Sequence, residues 1–134
     1  MRTRDRQYAA AIFQQIERDI EPQSRSHQKK YGSMAHKLPV LIRTAGLAQG
    51  LAFVESRGIE EHKLLLDHIA QVVGLTDRAK LAECSRTTVK LVDYMHLTRN
   101  VLKALTWYKR FAQSVLKVES SDEDDEVDTA GGNQ

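Results

Sequence analysis

Five histidines, His27, His36, His62, His68 and His96, and one cysteine, Cys84, are the side chains of this chain best suited to proton transfer, metal binding or nucleophilic attack. Their spacing builds none of those chemistries. There is no His-Glu-x-x-His and no Cys-x-x-Cys, so the two-ligand halves from which zinc sites are assembled are missing. His62 and His68 stand six apart, which puts them on different sides of a helix. Asp93 and His96, three apart, are expected to form a surface pair. A histidine ribonuclease built on His27 or His36 with Lys37 would satisfy general acid–base logic, but no third group converges with them. Cys84 sits in helix-forming sequence with nothing beside it to mark a nucleophile. A single cysteine also excludes an intramolecular disulfide and suits a reducing, cytoplasmic setting. The expectation is a chain without catalytic residues, metal ligands or cofactors, acting on no small-molecule substrate.

Spacing does concentrate charge. The stretch SRSHQKKYGSMAHKLPVLIR, residues 24–43, carries five lysines and arginines and no carboxylate, inside an interval from Pro22 to Val54 that has no acid at all. A second acid-free interval separates Asp93 from Glu119. Within it Arg99, Lys103, Arg110 and Lys117 fall within about 40° of one another on a helical wheel. The formal charge of +2 hides a division, because seven of the eighteen acids follow Lys117. Residues 1–118 therefore hold twenty bases against eleven acids. Soluble surfaces usually mix signs, so single-signed faces point to an anionic partner, phosphates above all. The acidic, apolar-poor segment 119–134 cannot bury enough surface to order itself and is expected to be disordered. It is long enough to return over the positive face of its own domain.

These residues must be positioned by helices. The 134 residues suffice for one domain, and Ala, Leu, Gln, Lys and Glu dominate while only two prolines and seven glycines punctuate the chain. No run approaches the ~20 apolar residues of a membrane span, and the basic N-terminus leads into no signal-like segment. Tyr8, Ile12, Ile16 and Ile20 define a first amphipathic helix stopped by Glu21-Pro22, whose other face holds Arg4, Gln7, Gln14 and Arg18. A shorter helix is expected over residues 24–35, capped by Ser24 or Ser26. Pro39 then suits a helix start, opening a nearly all-round apolar helix closed by Gly58. On that helix Arg43, Gly46, Gly50 and Arg57 would form one strip, its glycines admitting another backbone, most simply a neighbouring helix of the same chain. A helix over 60–73 ends at Gly74, Thr76 caps a short one, and the longest helix runs from about Thr87 to Val118. Its core face is expected to gather Leu91, Tyr94, Leu97, Val101, Leu105, Tyr108, Ala112 and Val115. Trp107 stands at the edge between that face and the basic stripe, as a cap on the core or an interface anchor. The whole reads as an all-α, single compact domain of five or six helices, residues 1–118, with a long C-terminal helix and an acidic tail.

Two segments resemble a known family. KYGSMAHKLPVLIRTAGLAQGLAFVESRG looks like the signature of the small, all-helical subunit of type III-B CRISPR effector complexes, the Cmr complex: Tyr31, Leu38-Pro39, Gly46-Leu47 and Leu51-Ala52-Phe53 stand in the family's order. ALTWYKRFAQSVL is similar to its closing segment, and the likeness runs from about Tyr8 to Leu116. The resemblance implies a non-catalytic subunit, in several copies stacked head-to-tail, that helps hold target RNA paired to guide RNA while other subunits cut. Its partners would be both RNAs, the other Cmr subunits and further copies of itself. Under that reading the RNA-facing residues are Lys29, Lys30, Lys37, Arg43, Arg99, Lys103, Arg110 and Lys117. The subunit contacts are Arg4, Gln7, Gln14, Arg18, Arg57 and Trp107. Two rival readings stand beside it: a free-standing, sequence-nonspecific RNA-binding helical protein, and an adaptor whose positive face meets an acidic protein.

Overall fold

A computed structural model describes residues 3–120. Six helices follow one another: α1 Thr3–Asp19, α2 Arg25–Ala45, α3 Leu47–Arg57, α4 Glu60–Val72, α5 Arg78–Thr87 and α6 Leu91–Ser114. The segment 121–134, expected to be disordered, lies outside the described residues. None of the described helices is long and apolar enough to cross a membrane.

The apolar spacing of α1 works as the sequence suggests, with Tyr8, Ile12, Ile16 and Ile20 all buried. Around α2 the fold departs from the expected pair of helices. The two helices expected over 24–35 and from Pro39 onward are one helix of 21 residues with Pro39 inside it, and Ser24 caps it by accepting from the His27 N–H. The break comes instead at Gly46, whose φ of 93° and ψ of 161° are open to glycine alone among common residues. Burial of Leu38, Pro39 and Ile42 holds the helix through a residue that ordinarily ends one. Consequently Arg43, Gly46, Gly50 and Arg57 do not share a helical strip. Gly50 nonetheless serves close approach within the chain: a Cβ there would stand 3.3 Å from Ile42 Cγ1 of α2.

The last helix is also shorter than its apolar pattern implies. Thr87 ends α5, and α6 starts at Leu91 and stops at Ser114. Leu91 points to solvent, 70% exposed, because no described element covers the start of α6, while Val101, Leu105, Tyr108 and Ala112 further along the same face are buried. Asp77, not Thr76, caps α5, accepting from the Lys80 N–H at 3.0 Å.

α2 and α6 lie antiparallel. At one end the Tyr94 hydroxyl accepts from the Ala48 N–H at 3.3 Å, just past the end of α2. At the other, the chain leaving α6 turns back as a strap against α2. Arg25 donates to the carbonyls of Leu116 and Lys117, His36 Nε2 donates to the Val118 carbonyl at 2.8 Å, and Val118 is fully buried. Gly32 makes room for it, since a Cβ there would come within 2.8 Å of Val118 Cβ. The turn uses Lys117 in a left-handed conformation, φ 58°.

A polar chain threads the core where α1, α2, α4 and α6 meet. Arg18 donates two hydrogen bonds to Asp19 at 2.7 and 2.8 Å. Asp19 contacts His68 Nε2 at 2.8 Å, and His68 Nδ1 contacts the Tyr31 hydroxyl at 2.7 Å. An ionised carboxylate only accepts, so His68 donates from Nε2 and accepts the Tyr31 hydroxyl's hydrogen bond on Nδ1. Gln15 donates to the His68 carbonyl at 3.0 Å and accepts from Tyr108. Buried polar groups cost free energy unless paired, and this pairing fixes how α1 and α4 meet. On the far side, Arg78 of α5 bridges Glu55 of α3 at 2.9 Å and Asp67 of α4 at 3.0 Å.

Candidate nucleic-acid interface

Antiparallel packing of α2 on α6 brings the two acid-free intervals side by side. α2 contains no acid and α6 only Asp93, in its first turn. Along α6, Arg99, Lys103 and Arg110 are all exposed and follow one stripe. Lys117 does not continue it, because the helix has ended: its side chain belongs to the strap, and its carbonyl is held by Arg25 at 2.7 Å. On α2, Arg43 is exposed while Lys29, Lys30 and Lys37 are half-buried. The structure thus unites Arg99, Lys103 and Arg110 on one face, with Lys37 and Arg43 on the neighbouring helix. Lys30 and Lys37 also stand near α4.

That proximity has an electrostatic signature. His62 of α4 is fully buried, and its pKa is depressed to about 4, by burial first and then by the nearby charges of Arg57, Lys37 and Lys30, with a hydrogen bond to the Lys30 backbone opposing. Cations thus crowd the α2–α4 seam. His68 is also held below its ordinary value by burial, with Asp19 opposing. The Asp19 carboxyl drops to about 2, chiefly through its Arg18 hydrogen bonds.

Between α2 and α6 runs a groove of ≈ 560 Å³ lined by His36, Lys37, Val40, Thr44, Lys109 and Gln113, with Ser120 at its edge. Lys109 is a residue that the sequence does not single out. Its position about 100° from the Arg99–Arg110 stripe makes it look peripheral, and only the approach of α2 gives it a partner helix.

The candidate subunit contacts scatter. Arg4 donates to Asn100 of α6 at 3.2 Å, Gln7 and Gln14 are exposed on α1, and Arg18 is committed to Asp19. Arg57 lies over the Phe53 ring at 5.7 Å. Trp107 is half-buried on the α1–α6 seam: its indole N–H donates to Asp5 at 2.9 Å, Phe111 packs against it, and Arg110 lies 5.2 Å over its ring. A feature that the sequence reading missed is apolar. Val89, Leu91, Val92 and Met95 at the start of α6 are 95%, 70%, 61% and 48% exposed. Their helical spacing looks like core, and only the absence of a covering element among the described residues reveals them. Around α4 and α5 the charges are mixed, with two hollows, one lined by Glu60, Glu61 and Asp67 together with Lys63 and Arg78, the other by Glu55, Asp67 and Asp77 together with Arg78 and Arg86.

The geometry defines a class: a small six-helix module that offers broad charged surfaces, basic on the α2–α6 side and mixed in sign on the α4–α5 side. Comparison with known proteins narrows the class to a family. The model of the CRISPR-associated protein family Cas_Cmr5 matches residues 4–115. The chain is 45% identical over 117 residues to the CRISPR system Cmr subunit Cmr5 of Thermus thermophilus, covering 87% of this chain and 99% of that protein. The crystal structure of a CRISPR-associated Cmr5 family protein from Thermus thermophilus superposes with a TM-score of 0.72 over 86% of this chain and 98% of the other. This chain belongs to the Cmr5 family of CRISPR-associated proteins.

Proposed function

We propose that the chain is the non-catalytic small subunit of a type III-B CRISPR (Cmr) ribonucleoprotein, which stacks along the complex and helps hold target RNA paired to guide RNA during antiviral defence. The observation that carries this reading is the α2–α6 side, whose helices hold no acid but Asp93, with Arg99, Lys103 and Arg110 exposed in one stripe. Cations spaced along a helix suit a phosphate backbone, and they give affinity with little sequence preference. Lys29, Lys30, Lys37, Arg43 and Lys117 extend the positive field around the stripe.

Head-to-tail stacking needs two different faces. The exposed side of α1, with Arg4, Gln7 and Gln14, and the Arg57–Phe53 pair on α3 supply candidates on different sides, since α1 packs against α4 and α6 while α3 packs against α2, α4 and α5. The apolar Val89–Met95 segment favours a protein contact as well, because patches of this kind mark association surfaces.

The isolated protein should bind single-stranded RNA weakly, without sequence preference, and with a log affinity that falls linearly with log salt. Replacing Arg99, Lys103 and Arg110 together by Gln should flatten that slope by about 2, at roughly 0.7 per lost phosphate contact. An unchanged slope would leave the adaptor reading, in which the positive side meets an acidic protein.

A further inference from the structure

The strap at the end of α6 fixes where the acidic segment begins. Arg25 holds the carbonyls of residues 116 and 117, His36 holds that of Val118, and the Val118 side chain is seated against Gly32. These contacts deliver Ser120 to the edge of the α2–α6 groove, beside Lys37, Lys109 and Gln113. The next residues include Asp122, Glu123, Asp124, Asp125, Glu126 and Asp128. An extended chain advances at most ~3.5 Å per residue, so the first of these carboxylates are already within reach of the groove that Ser120 borders. A segment with six acids and no base starts, tethered, beside a groove whose charged lining is basic.

We propose that this groove is the docking site of the chain's own acidic segment, residues 121–134, which competes there with an RNA backbone for Lys37 and Lys109. Tethering makes the competitor intramolecular, so its effective concentration at the groove is in the millimolar range for a short linker. The attraction is between exposed charges and weakens with salt. The competition with RNA rests on the function proposed above; the docking itself does not.

The test compares the full chain with a form ending at Ser120, which keeps the strap, and with the full-length Lys37→Ala, Lys109→Ala double variant. Backbone amide chemical shifts report docking without RNA. Removing residues 121–134 should shift the amides of Lys37, Thr44, Lys109 and Gln113 at about 50 mM salt, independently of protein concentration, and the difference should vanish at about 500 mM, where screening is strong. Single-stranded RNA should bind the truncated form several-fold more tightly than the full chain at the lower salt, and the double variant should narrow that gap. Groove amides that do not move, shifts confined to another surface, or shifts that grow with protein concentration would each overturn the docking. Groove shifts as expected with no RNA bound by either form would uphold the docking and count against the RNA reading alone.

Discussion

His62 shows how the positive side reaches into the core. With its pKa held near 4 by burial and by Arg57, Lys37 and Lys30, the folded protein resists a proton that the unfolded chain accepts near pH ~6.5. The unfolded state therefore binds more protons between those values, and stability falls as pH drops from about 6.5 toward 4. The full effect is on the order of 3 kcal/mol. His68, likewise depressed, adds to the loss, and Asp19 contributes a further loss only as pH falls below about 4 toward 2. Urea denaturation at about pH 7.5, 5.5 and 4.5 should show this decline, and His62→Gln should flatten it while leaving the His68 part. A variant whose stability falls with pH as steeply as the parent would show that His62 is not the group responsible. Nothing in the sequence foretells these shifts: spacing correctly puts His62 and His68 on different sides of α4, but both sides face protein, which period alone does not reveal.

At the scale of elements, the division between α2 and α3 rests on one residue. Gly46 has a backbone conformation that strains any side chain, at about 1–3 kcal/mol, whereas Gly58 sits in the ordinary left-handed region, φ 69°, with open space around it. Gly46→Ala should lower the melting temperature by several degrees, and Gly58→Asn, which tolerates the left-handed region, should change it little. Equal effects of the two would contradict the assignment of the break. This is also where the sequence misleads most. Pro39 is the stronger breaker by local rules, yet burial of its neighbours keeps α2 continuous, and a glycine seven residues on takes the turn. The amphipathic pattern of α1, the Gly58 and Gly74 punctuation and the buried face of α6 from Val101 to Ala112 are legible because period and breaker agree there. The end of α6 is not, since Leu116 and Val118 are buried through a strap rather than a helical face. Lys117 accordingly falls on the stripe of a helical wheel and does not join it in the fold.

For the molecule as a whole, the asymmetry of charge is the property on which the proposed function rests. Around α4 and α5 acids and bases mix and pair, Lys63 with Glu60, Arg78 with Asp67 and Lys80 with Glu83, whereas bases with almost no acid line α2 and α6. The two acid-free intervals can be read directly from the chain, but their juxtaposition depends on antiparallel packing of α2 on α6, which brings Lys109 beside Lys37, while the packing of α2 on α4 places the charges of Lys30 and Lys37 near His62. The central claim is that the α6 stripe meets RNA in the assembled complex. It is tested most directly by charge reversal: a complex reconstituted with Arg99→Glu, Lys103→Glu and Arg110→Glu in this subunit, its assembly verified by subunit stoichiometry, assayed for capture of target RNA. These positions are exposed and outside the core, so the fold and assembly should persist while capture weakens at least about tenfold, three lost phosphate contacts being compounded by repulsion. Capture equal to that of the unmodified complex, at low salt and with full assembly, would contradict the account.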